Sequence, residues 1–172
     1  MHWPRDTASW FERASLCRRE ERRTKLDVVI ALHRLAYASH RMKIPALPTM
    51  LYALNRILFG IALPPQTQIG RRVKFAYLGL GTVVHRNAVI GDDVVVGSNV
   101  TIGGRSGHAQ LPVIEAGAYI GTGARVLGPV RVGRNAVIGA NAVVLCDVPA
   151  DSVAVGIPAR VIRENIADGA FR

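Results

Sequence analysis

From Val84 to Val144 an aliphatic side chain returns at every sixth position but one, and this period leaves the chain very few architectures. The residues in phase are Val84, Ile90, Val96 and Ile102, then Ile114, Ile120, Val126, Val132, Ile138 and Val144. Four places after nine of them stands a small or branched partner: Ala88, Val94, Val100, Ala118, Ala124, Val130, Ala136, Ala142 and Val148. Glycine follows directly at residues 91, 97, 103, 121, 133 and 139. Side chains two apart on a strand point to the same side, so the small partner and the next aliphatic both point inward. Six residues thus make one flat side and one corner, with glycine serving the tight backbone of the corner. Three such sides close one coil, and stacked coils form parallel sheets around a thin aliphatic core. The expected fold is mainly β, a parallel β-helix. Its hand is not contained in the pattern, since parallel crossovers are as a rule right-handed.

The phase breaks once, between Ile102 and Ile114, in GGRSGHAQLPV. The inward place there would fall on His108, which a narrow aliphatic prism does not accommodate, so residues 103–112 are expected to leave the coil as an exposed loop. An earlier irregular coil runs from Ile69 to Gly81, and Pro149, Pro158 and the apolar segment Val153 to Ile162 close the solenoid.

Before the repeat the periodicity is helical. Val28, Leu32 and Leu35, flanked by Val29 and Ala36, predict one helix. Met50, Leu51, Leu54, Ile57 and Leu58 predict the apolar stripe of a second, which Gly60 ends. The chain divides into a helical segment over residues 1–65, a β-helix over 66–149 with the loop 103–112, and a tail over 150–172 packing on the solenoid. The charge run Arg18 to Lys25 reads as a solvated helix face.

The formal net charge is +10, and ten of the 22 Lys and Arg residues lie before Ile44 against five acids. A basic surface suits nucleic acid, anionic lipid or a phosphorylated small molecule. No stacking platform or recognised motif points to nucleic acid, and nothing in the sequence selects a membrane surface. The stretch from Ile44 to Pro65 is too short and too interrupted to span a bilayer. Cys17 and Cys146 read as free thiols. The stretch from Met1 to Lys25 is charged and lacks a secretory pattern, so a cytoplasmic location is expected.

The stretch from Ile69 to Ile162 resembles the hexapeptide-repeat acyltransferases, and within them the serine acetyltransferase-like branch. The repeat, the interrupted coil VTIGGRSGHAQLPVI and the tail VLCDVPADSVAVGIPARVI carry the match. The resemblance implies a left-handed coil, a homotrimer or dimer of trimers, and acetyl-CoA lying between neighbouring prisms. Outward-facing Val89, Val95, Val137 and Val143 would serve trimer contacts. Serine acetyltransferases carry an Asp-His pair in D-H-A-T-G-I-V-V-G. Aligned without gaps to YLGLGTVVH, the pair falls on Tyr77 and Leu78, and a further family Asp falls near Ala62. This departure favours O-acetylation of a sugar or polysaccharide precursor over serine. Serine O-acetylation in cysteine biosynthesis is the alternative reading, and a non-catalytic trimeric scaffold is the rival from another class.

Acetyl transfer to a hydroxyl needs a base for its proton and donors for the oxyanion, and imidazole is the natural base near neutral pH. His2 lies at the terminus, and His33 and His40 read as structural residues of the first helix, which leaves His85 and His108 as catalytic candidates. His85 takes the corner place where six of ten repeats have glycine, and precedes Gly103 by one full coil. It should therefore stack about 4.8 Å from the loop root, so that both histidines approach one cleft. Gly103, Gly104, Arg105 and Ser106 offer backbone amides to cofactor or acceptor. Through the family motif, Gly121, Gly139, Ala159 and Arg160 are further acetyl-CoA candidates, with Arg160 meeting a phosphate. A zinc-dependent hydratase needs three His ligands, of which the repeat has two, so no metal is expected.

Overall fold

The computed structural model describes residues 28–166. Expectations that fall on His2, Cys17 and the Arg18 to Lys25 run lie outside the described residues. Helix α1 spans Val28–Arg41 and helix α2 Leu47–Phe59, packed as an antiparallel pair in which Asn55 Nδ2 donates to the Val29 carbonyl at 3.2 Å. Gly60 ends α2 as the sequence predicts. It adopts φ 66°, the left-handed conformation that glycine enters without cost, and its N–H caps the Arg56 carbonyl.

The solenoid follows as three parallel sheets, each formed by one side of successive coils. The first side stacks β1 (Gln68–Ile69), β4 (Val89–Ile90), β7 (Val113–Ile114) and β10 (Arg131–Val132). The second stacks β2 (Lys74–Phe75), β5 (Val95–Val96), β8 (Tyr119–Ile120), β11 (Val137–Ile138) and β13 (Val153–Val155), with β14 (Arg160–Arg163) added antiparallel at the end. The third stacks β3 (Val83–Val84), β6 (Thr101–Gly103), β9 (Arg125–Leu127) and β12 (Val143–Val144). All ten aliphatics of the repeat are at most 2% exposed, with their small partners buried beside them. Ile61 and Leu63 already belong to this core.

Register measures the irregularities. Val113 pairs with Arg131, one coil of three hexapeptides further on, but Val89 pairs with Val113 across four. The excursion between β6 and β7 therefore adds one whole hexapeptide, which is why the phase survives it. The first coil, with Gln68 opposite Val89, exceeds three hexapeptides by half of one. The surplus forms the 3-10 turn Ala76–Gly79, whose Tyr77 and Leu78 hold φ 52° and 57°.

Four sequence expectations change. The stripe of α2 does not face a core: Met50, Leu54, Ile57 and Leu58 are exposed, Ile57 by 80%, and the helix buries Asn55 and Pro48 instead. On α1 the buried face is Val29, Ile30, His33, Ala36 and Ser39, while Val28 and Leu35 are exposed. A two-helix layer covers only the sides that meet each other and the first coil, so the remaining apolar residues stay outside. The corner glycines owe their identity to crowding rather than to unusual dihedrals. A Cβ on Gly97 would lie 2.6 Å from Thr122 N, and on Gly133 2.4 Å from Ala150 N. The left-handed backbone falls instead at the third corner place, on Asp93, Asn99, Gly117, Gly123, Asn135 and Asn141. Among the outward valines, Val137 is itself buried, between Tyr119 and Val153 in register on either side. No described helix is long and apolar enough to cross a membrane.

Candidate active site at the loop-bearing corner

One corner of the prism, where the third sheet turns into the first, carries both histidine candidates. His85 follows β3, and its N–H donates to the Ile102 carbonyl at 2.8 Å, which sets it in register with Gly103 at the loop root. The side chain is exposed. Its Nδ1 accepts the Asn87 N–H at 3.2 Å, so the neutral ring carries its proton on Nε2 and offers that nitrogen as a donor. Behind it, Thr67 is fully buried, and its Oγ1 donates to the His85 carbonyl at 3.4 Å. The Thr67 carbonyl in turn accepts from His33 Nε2 at 3.2 Å. The first helix thus reaches the histidine through one buried threonine.

His33 is 3% exposed, and since Nε2 must bear the proton for that bond, Nδ1 is left bare and without a partner. Burial lowers its pKa from the usual 6.5, the Thr67 and Leu63 carbonyls pull the other way, and Arg34 adds a smaller lowering. It holds α1 to the solenoid and is not a member of the exposed site.

The loop is exposed from Gly104 to Gln110 and folds back on itself, the His108 N–H donating to the Arg105 carbonyl at 3.1 Å, with Gly107 at φ 83° making the turn. Its root lies along the next coil: the Gly128 N–H donates to the Gly103 carbonyl at 3.0 Å, and a Cβ on Gly128 would come 3.0 Å from Arg105 Cβ. Gly103 and Gly104 differ from the other corner glycines. A Cβ on Gly103 would meet nothing nearer than Thr101 Cγ2 at 3.9 Å, and on Gly104 nothing nearer than Leu111 Cδ2 at 3.4 Å. Packing does not require glycine here, and the open backbone is a cradle that side chains would fill.

The other cofactor candidates lie elsewhere. Gly121 and Gly139 follow β8 and β11, at the corner where the second sheet turns into the third. Both are explained by crowding, since a Cβ would lie 2.6 Å from Ala140 N and 2.7 Å from Val155 Cγ1 respectively. Ala159 is buried on the same corner, its N–H donating to the Val143 carbonyl at 2.8 Å. Arg160 begins β14; it is exposed, donates to the Ala159 carbonyl at 3.0 Å, and joins neither ion pair seen among the described residues. The candidates therefore divide between two corners that flank the third sheet. Asn87, whose backbone N–H holds the His85 ring, and Thr67, which bonds the His85 carbonyl, escaped the sequence reading; the first contact comes from the main chain, so no residue type announces it.

Among the described residues no cluster of three or more His, Cys, Asp or Glu is arranged to hold a metal. Tyr77 and Leu78, on which the ungapped alignment places the Asp-His pair of serine acetyltransferases, are exposed and left-handed.

Residues 112–146 match the family model "Bacterial transferase hexapeptide (six repeats)". The serine acetyltransferase of Bacillus pumilus is 42% identical over 135 residues, covering 77% of this chain and 62% of that protein. That of Helicobacter pylori is 38% identical over 135 residues, covering 77% of this chain and 78% of its own length. The crystal structure of serine acetyltransferase in complex with coenzyme A from Brucella abortus superposes with a TM-score of 0.75 at 32% identity, over 78% of this chain and 54% of that one. The chain thus spans less than two thirds of the length of two of these three proteins. A right-handed coil does not superpose on a left-handed one over such a span, and the solenoid is a left-handed parallel β-helix. Fold, repeat and identity over most of the chain agree: this protein belongs to the serine acetyltransferase branch of the hexapeptide-repeat acyltransferases.

Proposed function

We propose that the chain is an acetyl-CoA-dependent O-acetyltransferase, and that serine is its acceptor. The observation that carries the reading is the loop-bearing corner, where an exposed His85 stands in register with the root of a glycine-rich loop that holds His108. The names of the relatives support serine over the sugar or polysaccharide precursor that the sequence favoured.

The residues present fit the donor. Gly103 and Gly104 leave room for a ligand to approach their backbone, and Arg160 is an exposed cation without an acidic partner among the described residues, suited to a phosphate. Acetyl-CoA, when bound, supplies an acetyl group activated as a thioester. His108 takes the proton of the acceptor hydroxyl as its oxygen becomes the nucleophile, and would return that proton to the thiolate that leaves when the thioester C–S bond breaks. His85, with Nδ1 held by Asn87, presents Nε2–H as a donor for developing negative charge. Backbone amides of Gly104 to Ser106 orient the reactants. The Arg105 side chain passes over Gly128 and adds positive charge at the loop root.

A second reading, a hydroxyl other than that of serine, rests on Tyr77 and Leu78 in place of the Asp-His pair. Release of free thiol from acetyl-CoA, followed with L-serine and with a panel of sugars and nucleotide-sugars, separates the two. Turnover with serine supports the first reading, and turnover with a sugar alone overturns it in favour of the second.

A further inference from the structure

The helical pair leaves two apolar stripes facing solvent. On α2, Met50, Leu54 and Ile57 with Leu58 recur at helical spacing on one face, and Met50 is 65% exposed. On α1, Val28 and Leu35 fall seven apart on one face, and Met42, just past the end of the helix, is 72% exposed. The same region carries an unusual charge. Between residues 28 and 91 stand eight Lys and Arg and not one Asp or Glu, with Arg34, Arg41, Lys43 and Arg56 on or between the helices. The acids of the described residues begin at Asp92.

We propose that this helical pair docks on an anionic lipid surface, lying in the interface without crossing it. Helices of 14 and 13 residues are too short to span a bilayer, and none of the described helices has the length or apolarity to do so. Exposed Leu, Ile and Met on one face with Lys and Arg alongside is the pattern of an interfacial helix, where apolar burial and attraction to anionic headgroups add. Charge decides against a symmetric contact between two copies of this face. Such a contact would set two helical pairs against each other, each carrying Arg34, Arg41, Lys43 and Arg56 and no acid within residues 28–59, and like charges juxtaposed across an interface oppose association. Neutral apolar partners would leave the cations without a role. The inference stands apart from the acetyltransferase reading, since it uses no residue of the corner site.

The test is sedimentation of the full chain with vesicles of phosphatidylcholine alone and of an equal mixture with phosphatidylglycerol, at low and high salt. The protein should sediment with the mixed vesicles and not with the neutral ones, and lose binding as salt rises. Arg41→Glu with Lys43→Glu, and separately Ile57→Ser with Leu58→Ser, should each weaken partition by about tenfold or more. Both pairs are exposed, so the melting temperature should be kept and serves as the folding control. Equal sedimentation with both vesicle types, or none with either, overturns the proposal. So does a result in which the Ile57/Leu58 variant keeps vesicle binding but loses self-association on a sizing column, which would assign the stripe to a contact between copies.

Discussion

Asn141 sits at the third corner place with φ 56°, a backbone that costs most L-residues about 1–2 kcal/mol and that Asn and Gly tolerate best. Asn141→Ala should therefore lower stability by about 1 kcal/mol, read as a melting temperature about 2–4 °C lower, whereas Asn141→Gly should leave it nearly unchanged. Equal losses in both would show that the side chain, not the dihedral, matters. His33 makes a residue-scale prediction about pH. Burial lowers its folded pKa below 6.5, so above that value the ring is neutral in both states and its contribution is complete. As pH falls through 6.5 the unfolded chain takes up the proton first, and stability declines until the folded ring is protonated too. Melting followed from neutral pH down to about pH 5 should show this decline, and His33→Gln should flatten it whatever its own starting stability. These roles were only partly legible. The helical spacing placed His33 on α1 correctly, but its partner Thr67 lies far along the chain, beyond both helices, and no local pattern announces that bond.

At the scale of elements, strands were far more legible than helices. Alternation on a strand fixes inward and outward places absolutely once one phase is known, so each aliphatic of the repeat could be assigned to the core from sequence. A helix stripe says only that two faces differ. On α2 hydrophobic periodicity selects the wrong side, because the neighbour it meets is α1 and the contact is made through Asn55. Corners show the same division. Their existence follows from the period, but which glycines are compelled by the next coil follows only from three dimensions. Gly133→Ala should cost about 1–3 kcal/mol, since the added methyl meets the backbone at Ala150 and Pro149 with nothing flexible to move. Gly103→Ala should be stable to within about 0.5 kcal/mol, yet weaken acetyl-CoA binding measured by titration calorimetry. A destabilised Gly103→Ala, or one that binds normally, would remove the loop root from the site.

Across the whole molecule, the rule of three hexapeptides to a coil foretold that His85 would stand beside Gly103, and the Ile102 hydrogen bond bears this out. It did not reveal that Gly121, Gly139 and Ala159 stack at a different corner from the loop, although the same counting contains that information. The helical layer, basic and apolar on its outside, sits at one end of the prism, and the tail strand closes the other. We propose that the loop-bearing corner transfers an acetyl group to a hydroxyl. Thiol release from acetyl-CoA by the full chain, with L-serine as acceptor, tests it in wild type, His85→Ala and His108→Ala. Wild type should show acceptor-dependent release, and His108→Ala should lose about 10²-fold or more. His85→Ala should lose less, as befits a donor rather than a base. Full rates in both variants, or no acceptor-dependent release in wild type with any hydroxyl tried, would contradict it.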